Sequence, residues 1–142
     1  MTKNDDRSLE RRRARFAYER VASWRDEIAR DATTRAQGLP IEVRSLGLST
    51  AVAVLLRENR LESHALAQLL CDWLLTESPQ RTLSAEQGTP QPPGKRSSPS
   101  TRDLLRASID AERSAYLAAQ ADSLALLDHV KLLARAYHGK AR

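Results

Sequence analysis

Arg7, Arg11 and Arg15 recur at i, i+4 and i+8, and Arg12 and Arg13 flank them. Residues four apart share one helical face, so this spacing draws a basic row along a helix near the N-terminus. A guanidinium makes forked contacts with phosphate that an ammonium cannot. The chemistry on offer is therefore the grip of a polyanion's backbone. Two readings stand side by side: a phosphate-contacting ridge, or a solvated face opposite a core stripe, with Asp5, Asp6 and Glu10 as local counter-charges. Lys131, Arg135, Lys140 and Arg142 form a second basic region, though cations near a helix C-terminus also complement its dipole. Arg44 and Arg57 are isolated cations. The whole chain leans the same way: 23 Lys and Arg, 19 of them Arg, stand against 18 Asp and Glu, for a net charge of +5. That balance favours a polyanionic partner, although an Arg-rich composition also follows from a GC-rich genome.

Little else in the chain does chemistry. There is no phosphate-binding Gly-Lys loop, no dinucleotide fingerprint, no Gly-x-Ser-x-Gly and no His-Glu-x-x-His. His64, His129 and His138 are far apart in sequence and read as surface or capping residues. Cys71 is the single cysteine, so neither an internal disulfide nor a zinc spacing arises. Its neighbours Leu69, Leu70 and Trp73 read it as a core thiol. Acidic pairs such as Asp26–Glu27 read as solvated. The expectation is a binding protein rather than an enzyme, with no cofactor and no metal. Of the six aromatic residues, Phe16, Trp24, Trp73, Tyr116 and Tyr137 fall on core stripes and only Tyr18 looks free. A base-stacking platform needs exposed aromatics beside the basic groove. Without one, nucleic-acid contact is expected to run through the backbone, with strong salt dependence and no sequence preference.

The elements that must position these residues all read as helices. A first segment from about Arg7 to Thr34 holds no Pro or Gly, and Ala17, Val21, Trp24 and Ile28 step along it by four, three and four. Pro40 suits the first turn of a short second helix ending at Leu46, and Gly47 suits its close. Ser49 reads as the cap of a third helix over about Thr50–Glu58, and a fourth follows from Glu62 to Thr76. Residues 78–101 hold five of the six prolines and almost no hydrophobic residues, which reads as a flexible Pro/Ser-rich insertion. Helix returns at Thr101, with a short fifth helix and a long sixth from about Ala111 to Tyr137. The fold expected is all-α: a compact bundle of about six helices with long first and last helices, a short second, and a disordered loop between the fourth and fifth. Hydrophobic residues at 41% fill one core and not two, so a single domain over 1–142 is expected. The longest apolar run, Ala51–Leu56, is far short of the roughly 20 residues of a membrane span, and the charged Met1–Arg15 does not read as a secretory leader. A soluble, cytoplasmic protein is expected.

Three stretches resemble one family: Arg12-Arg-Arg-Ala-Arg-Phe-Ala-Tyr-Glu-Arg-Val21; Leu39-Pro-Ile-Glu-Val-Arg-Ser-Leu-Gly-Leu48 with Thr50-Ala-Val-Ala-Val-Leu-Leu56; and Leu124-Ala-Leu-Leu-Asp-His-Val-Lys-Leu-Leu-Ala134. Together they look like the small subunit of the type III-B CRISPR effector, the fifth protein of the Cmr complex. The resemblance implies a non-catalytic all-α protein that stacks in several copies along a crRNA-bearing filament. It implies contacts with the backbone subunit and the large polymerase-like subunit, and a basic surface lining the target-RNA channel. The residues expected to contact RNA are Arg11, Arg15, Arg44, Lys131 and Arg135. Arg15 and Arg44 also lie inside the best-matching stretches. The small subunit of another CRISPR effector type, or a stand-alone helical interaction adaptor, would share much of this pattern.

Overall fold

The computed structural model describes residues 2–83 and 99–139, with side chains from Ser8 onward. Among them the chain forms six α-helices and no strand: α1 (Thr2–Ser23), α2 (Asp26–Leu46), α3 (Leu48–Glu58), α4 (Leu61–Asp72), α5 (Thr101–Asp110) and α6 (Arg113–His138). The expected six-helix all-α fold is what is found. One continuous core holds it together, drawing Ala17 and Val21 from α1, Leu39 and Val43 from α2, Leu55 from α3, Leu66 and Leu70 from α4, Leu104 from α5 and Leu126 and Val130 from α6. Glu10 meets His129, Tyr18 meets Tyr137 and Val21 meets His138. Because these positions climb together, α1 and α6 run in the same direction. Gln37 meets Lys131 and Leu48 meets Gln120, so α2 runs against α6.

Two helix boundaries differ from the sequence expectation. The first segment does not run through to Thr34; it breaks at Trp24–Arg25. Asp26 and Glu27 then open α2 with acids in its first turn, where the dipole favours them. At the break, the Val21 carbonyl accepts from the Trp24 N–H at 3.2 Å and, from α6, a 2.8 Å hydrogen bond from His138 Nε2. The second helix is not short. Pro40 lies inside α2, although an interior proline forfeits a backbone hydrogen bond. It is held there by an unbroken buried stripe, Ala29, Ala32, Thr33, Ala36, Leu39, Pro40 and Val43.

Between α2 and α3, Gly47 has φ 91° and ψ 158°, a region open essentially to glycine alone. Its carbonyl starts α3, whose first amides are capped from α6: Leu48 N–H donates to Gln120 Oε1 and Ser49 N–H to the Tyr116 hydroxyl, each at 3.0 Å. Ser49, expected as the cap, lies inside α3 and donates its hydroxyl to Ser108. A Cβ on Gly47 would stand 2.8 Å from that same Tyr116 oxygen. Gly47→Ala should therefore cost about 2–3 kcal/mol, combining strained backbone with a disturbed cap. That is roughly 6–10 °C in melting temperature, read by circular dichroism.

α4 ends in a π-helical turn, Trp73–Glu77, closed by Ser78 N–H donating to the Trp73 carbonyl at 2.7 Å. In an α-helix, residues five apart point about 140° away from each other. The i→i+5 pattern brings them onto one face, and both reach Asp122 on α6. Trp73 Nε1 donates to Asp122 Oδ1 at 3.0 Å and Ser78 Oγ to Oδ2 at 2.6 Å. Arg13 completes the set: its Nε and Nη2 lie 3.0 and 2.9 Å from Oδ1. The Asp122 side chain is wholly buried and that of Arg13 is 11% exposed. A buried carboxylate is tolerated because four donors surround it.

The segment expected as an insertion, 78–101, is part of the fold at both ends. Ser78 and Leu83 are buried. The Pro99 and Ser100 carbonyls lie 3.5 and 3.2 Å from the Cys71 thiol, which donates to them, and Ser100 forms a capping box with Asp103 at the head of α5. Residues 84–98 lie outside the described residues. Burial, reinforced by the charges of Asp72 and Asp103, pushes the Cys71 thiol up to about 12, which suits a packed thiol and not a nucleophile. Across α2 and α3, Arg35 is gripped by Glu42 and Glu58. Its hydrogen bonds hold the Glu58 carboxyl below its ordinary range.

Candidate nucleic-acid interface

α1 presents two faces. Ala17, Val21 and Trp24 sit in the core, with Phe16 and Arg13 along its margin. Arg11, Arg12 and Arg15 point outward and are exposed, and among the described residues none of the three forms an ion pair. The basic cluster read from sequence is therefore divided. Arg13 is not a surface cation but the partner of Asp122, and Arg20 is engaged by Asp72 at 2.5 Å while lying over the Phe16 ring. The backbone of Arg7 continues the helix, and its side chain lies outside the described residues.

A cleft of about 450 Å³ runs beside this outer face, between α1 and the π-helical turn. Arg11, Arg12 and Arg15 line it together with Phe16 and Trp73, and Glu19 and Glu77 contribute carboxylates. Three guanidinium groups against two carboxylates leave an excess of donors on the α1 side, which suits the oxygens of a phosphodiester. One wall of the cleft is held by the Asp122 network, since the lining residue Trp73 bonds to that carboxylate.

The other residues expected to contact RNA lie elsewhere. Lys131 and Arg135 share one face of α6, four residues apart. Lys131 is half-buried and its carbonyl accepts from Gln37 on α2, so this pair lies towards α2. Arg44 is exposed in the last turn of α2, close to where Gly47 meets the start of α6. The structure thus groups Arg11 with Arg15, sets Lys131 and Arg135 apart from them, and leaves Arg44 at the other end of the α2–α6 pair. Lys140 and Arg142 lie outside the described residues. Sequence reasoning misplaced one aromatic. Tyr137, read as core, is 50% exposed, as is Tyr18, and the two rings touch. Tyr137 stands in the last turn of α6, where a periodic stripe outruns the body it packs on.

The profile of the family described as CRISPR-associated protein (Cas_Cmr5) matches residues 9–137, from the first turns of α1 to the last turn of α6. The chain belongs to the Cas_Cmr5 family. It is accordingly a small subunit of the Cmr type of CRISPR complex. The crystal structure of a CRISPR-associated Cmr5 family protein from Thermus thermophilus superposes with a TM-score of 0.70, covering 92% of this chain and 96% of that one at 24% identity. That likeness is one of fold. No curated protein sequence matches the chain. All five residues expected to contact RNA fall within the span that the Cas_Cmr5 profile covers. Among the described residues, no helix is long and apolar enough to cross a membrane, and no His, Cys, Asp and Glu are grouped as a metal site would need.

Proposed function

We propose that the chain is a non-catalytic small subunit of a type III-B CRISPR effector in antiviral defence. It acts as one helical domain over 1–142, stacks with further copies of itself along a crRNA-bearing filament in the cytoplasm, and lines the target-RNA channel. The observation that supports this best is the Arg11/Arg15 face of α1, exposed and unpaired among the described residues, on a helix whose opposite face is built into the core. Guide pairing would then read sequence while this subunit supplies charge and shape, a division of labour known for another CRISPR class. The backbone subunit and the large polymerase-like subunit are its expected protein partners. Lys131, Arg135 and Arg44, standing apart from the α1 face, would serve either further phosphates or those subunits.

Affinity purification from the native host, with sequencing of the bound RNA, tests this reading. The expected result is a set of co-purifying Cmr subunits carrying spacer-derived guide RNAs. Recovery of the chain alone and free of RNA would point instead to a stand-alone interaction module.

A further inference from the structure

Arg11, Arg15 and Tyr18 lie in line on the outer face of α1. At 3.6 residues per turn they fall within about 60° of one another. Tyr18 and Tyr137 are each half exposed. Their rings meet edge to face, with centroids 6.0 Å apart and planes at 74°, an arrangement that leaves ring surface open on the solvent side. Behind them stands a braced row of rings. Tyr137 abuts His138 at 4.7 Å, and His138 stacks on the buried Trp24 at 5.9 Å with planes 20° apart. His138 is pinned in turn by its bond to the Val21 carbonyl.

Folding explains the third tyrosine and not these two. Tyr116 uses its hydroxyl to cap α3. Neither the Tyr18 nor the Tyr137 hydroxyl is bonded to a described residue, and neither ring fills the core. Two large rings thus stand half in solvent beside cations that have no described carboxylate partner.

We propose that Tyr18 and Tyr137 form a base-stacking step for single-stranded RNA whose phosphates are held by Arg11 and Arg15. This inference rests on the RNA-contacting reading above and adds to it a contact with the bases. Sites for single-stranded nucleic acid combine a cationic track with aromatic faces, and stacking tolerates any base because each has a π-face. A tyrosine gives that contact at low entropic cost, having only two side-chain torsions to fix. The step selects single strands, because a duplex keeps its base faces covered. Tyr and Arg also anchor protein interfaces. The unpaired arginines and the net charge of +5 favour the polyanion.

The test uses the full-length chain and two oligoribonucleotides of equal length, one of uridines and one abasic, which carry the same phosphates. The wild-type chain should bind the uridine strand about ten-fold more tightly than the abasic one. Tyr18→Leu with Tyr137→Leu, which keeps apolar bulk, should bring uridine binding down to the abasic level without changing the salt slope. Tyr18→Phe with Tyr137→Phe should bind like wild type, and circular dichroism melts should show all variants folded. Equal affinity of the wild type for the two strands, or an unchanged affinity in the leucine variant, would overturn the stacking step while leaving phosphate contact standing. Wild-type binding to neither strand would overturn the RNA reading and the stacking step together. Loss of Cmr subunits at unchanged RNA affinity would assign the two rings to a protein contact and overturn the proposal.

Discussion

Replacing Asp122 with alanine should lower the melting temperature by roughly 10–15 °C. The carboxylate is wholly buried and receives Arg13, Trp73 Nε1 and Ser78 Oγ. Its removal leaves a nearly buried guanidinium whose remaining counter-charge is the half-exposed Glu10 carboxylate, 3.6 Å from Nη1, and breaking a buried pair from one side costs about 3–5 kcal/mol. At this chain length each kcal/mol corresponds to about 3–4 °C. Replacing both charges with apolar residues, Arg13→Met with Asp122→Leu, should restore part of the loss, because buried pairs are often replaceable by packed hydrophobic groups. Recovery should stop short of wild type, since the Trp73 and Ser78 donors remain without an acceptor. A calorimetric melt of Asp122→Ala within about 3 °C of wild type would show that the network carries little of the fold's stability.

Charge reversal at the outer face should have the opposite signature. Arg11→Glu with Arg15→Glu changes two charges by two units each, taking the net charge from +5 to +1. RNA affinity at low salt should fall roughly ten- to a hundred-fold, and the slope of log K against log salt should shrink by about 2, one unit for each lost phosphate contact. Both side chains are exposed, so the melting temperature should hardly move. Arg13→Gln, only two residues away, should do the reverse and lose stability through Asp122. Filter binding across a salt series, paired with melting curves, separates the two. An unchanged salt slope in the double variant would remove Arg11 and Arg15 from the proposed interface.

The two arginine roles show where a sequence is readable. Stripes such as Leu126–Val130 and Leu66–Leu69–Leu70 are local patterns, and they fixed the helical class. The role of Arg13 was also legible. It stands four residues before the core residue Ala17, and Asp122 extends the Leu126–Val130 stripe back by one turn. A carboxylate on a core stripe calls for a buried cation, and reading the arginines as one row hid it. The break at Trp24–Arg25 was harder to see, because the side chain that braces it at the Val21 carbonyl is His138, at the far end of the chain. Only the acids Asp26 and Glu27 marked it locally. Pro40 looks the same at the start of a helix and in the middle of one. The buried residues on either side decided, and burial is a property of the assembled bundle. The Tyr18–Tyr137 contact joins the two ends of the chain, and no local pattern could announce it.

The π-helical turn has a consequence for how this stretch can change. Trp73 and Ser78 reach one carboxylate because the helix there holds one residue more than an α-helix would place between two points on the same face. The quantity that matters is phase, not composition. Exchanging Thr76 or Glu77, both exposed, for other helix-compatible residues leaves the alignment of the two donors intact. Deleting either would regularise the helix, improve its local geometry and swing Ser78 away from Asp122. A change that tidies the backbone would thus take from Asp122 one of the two donors that tie this turn to α6. Between Trp73 and Ser78 this fold should be far less tolerant of altered length than of altered side chains.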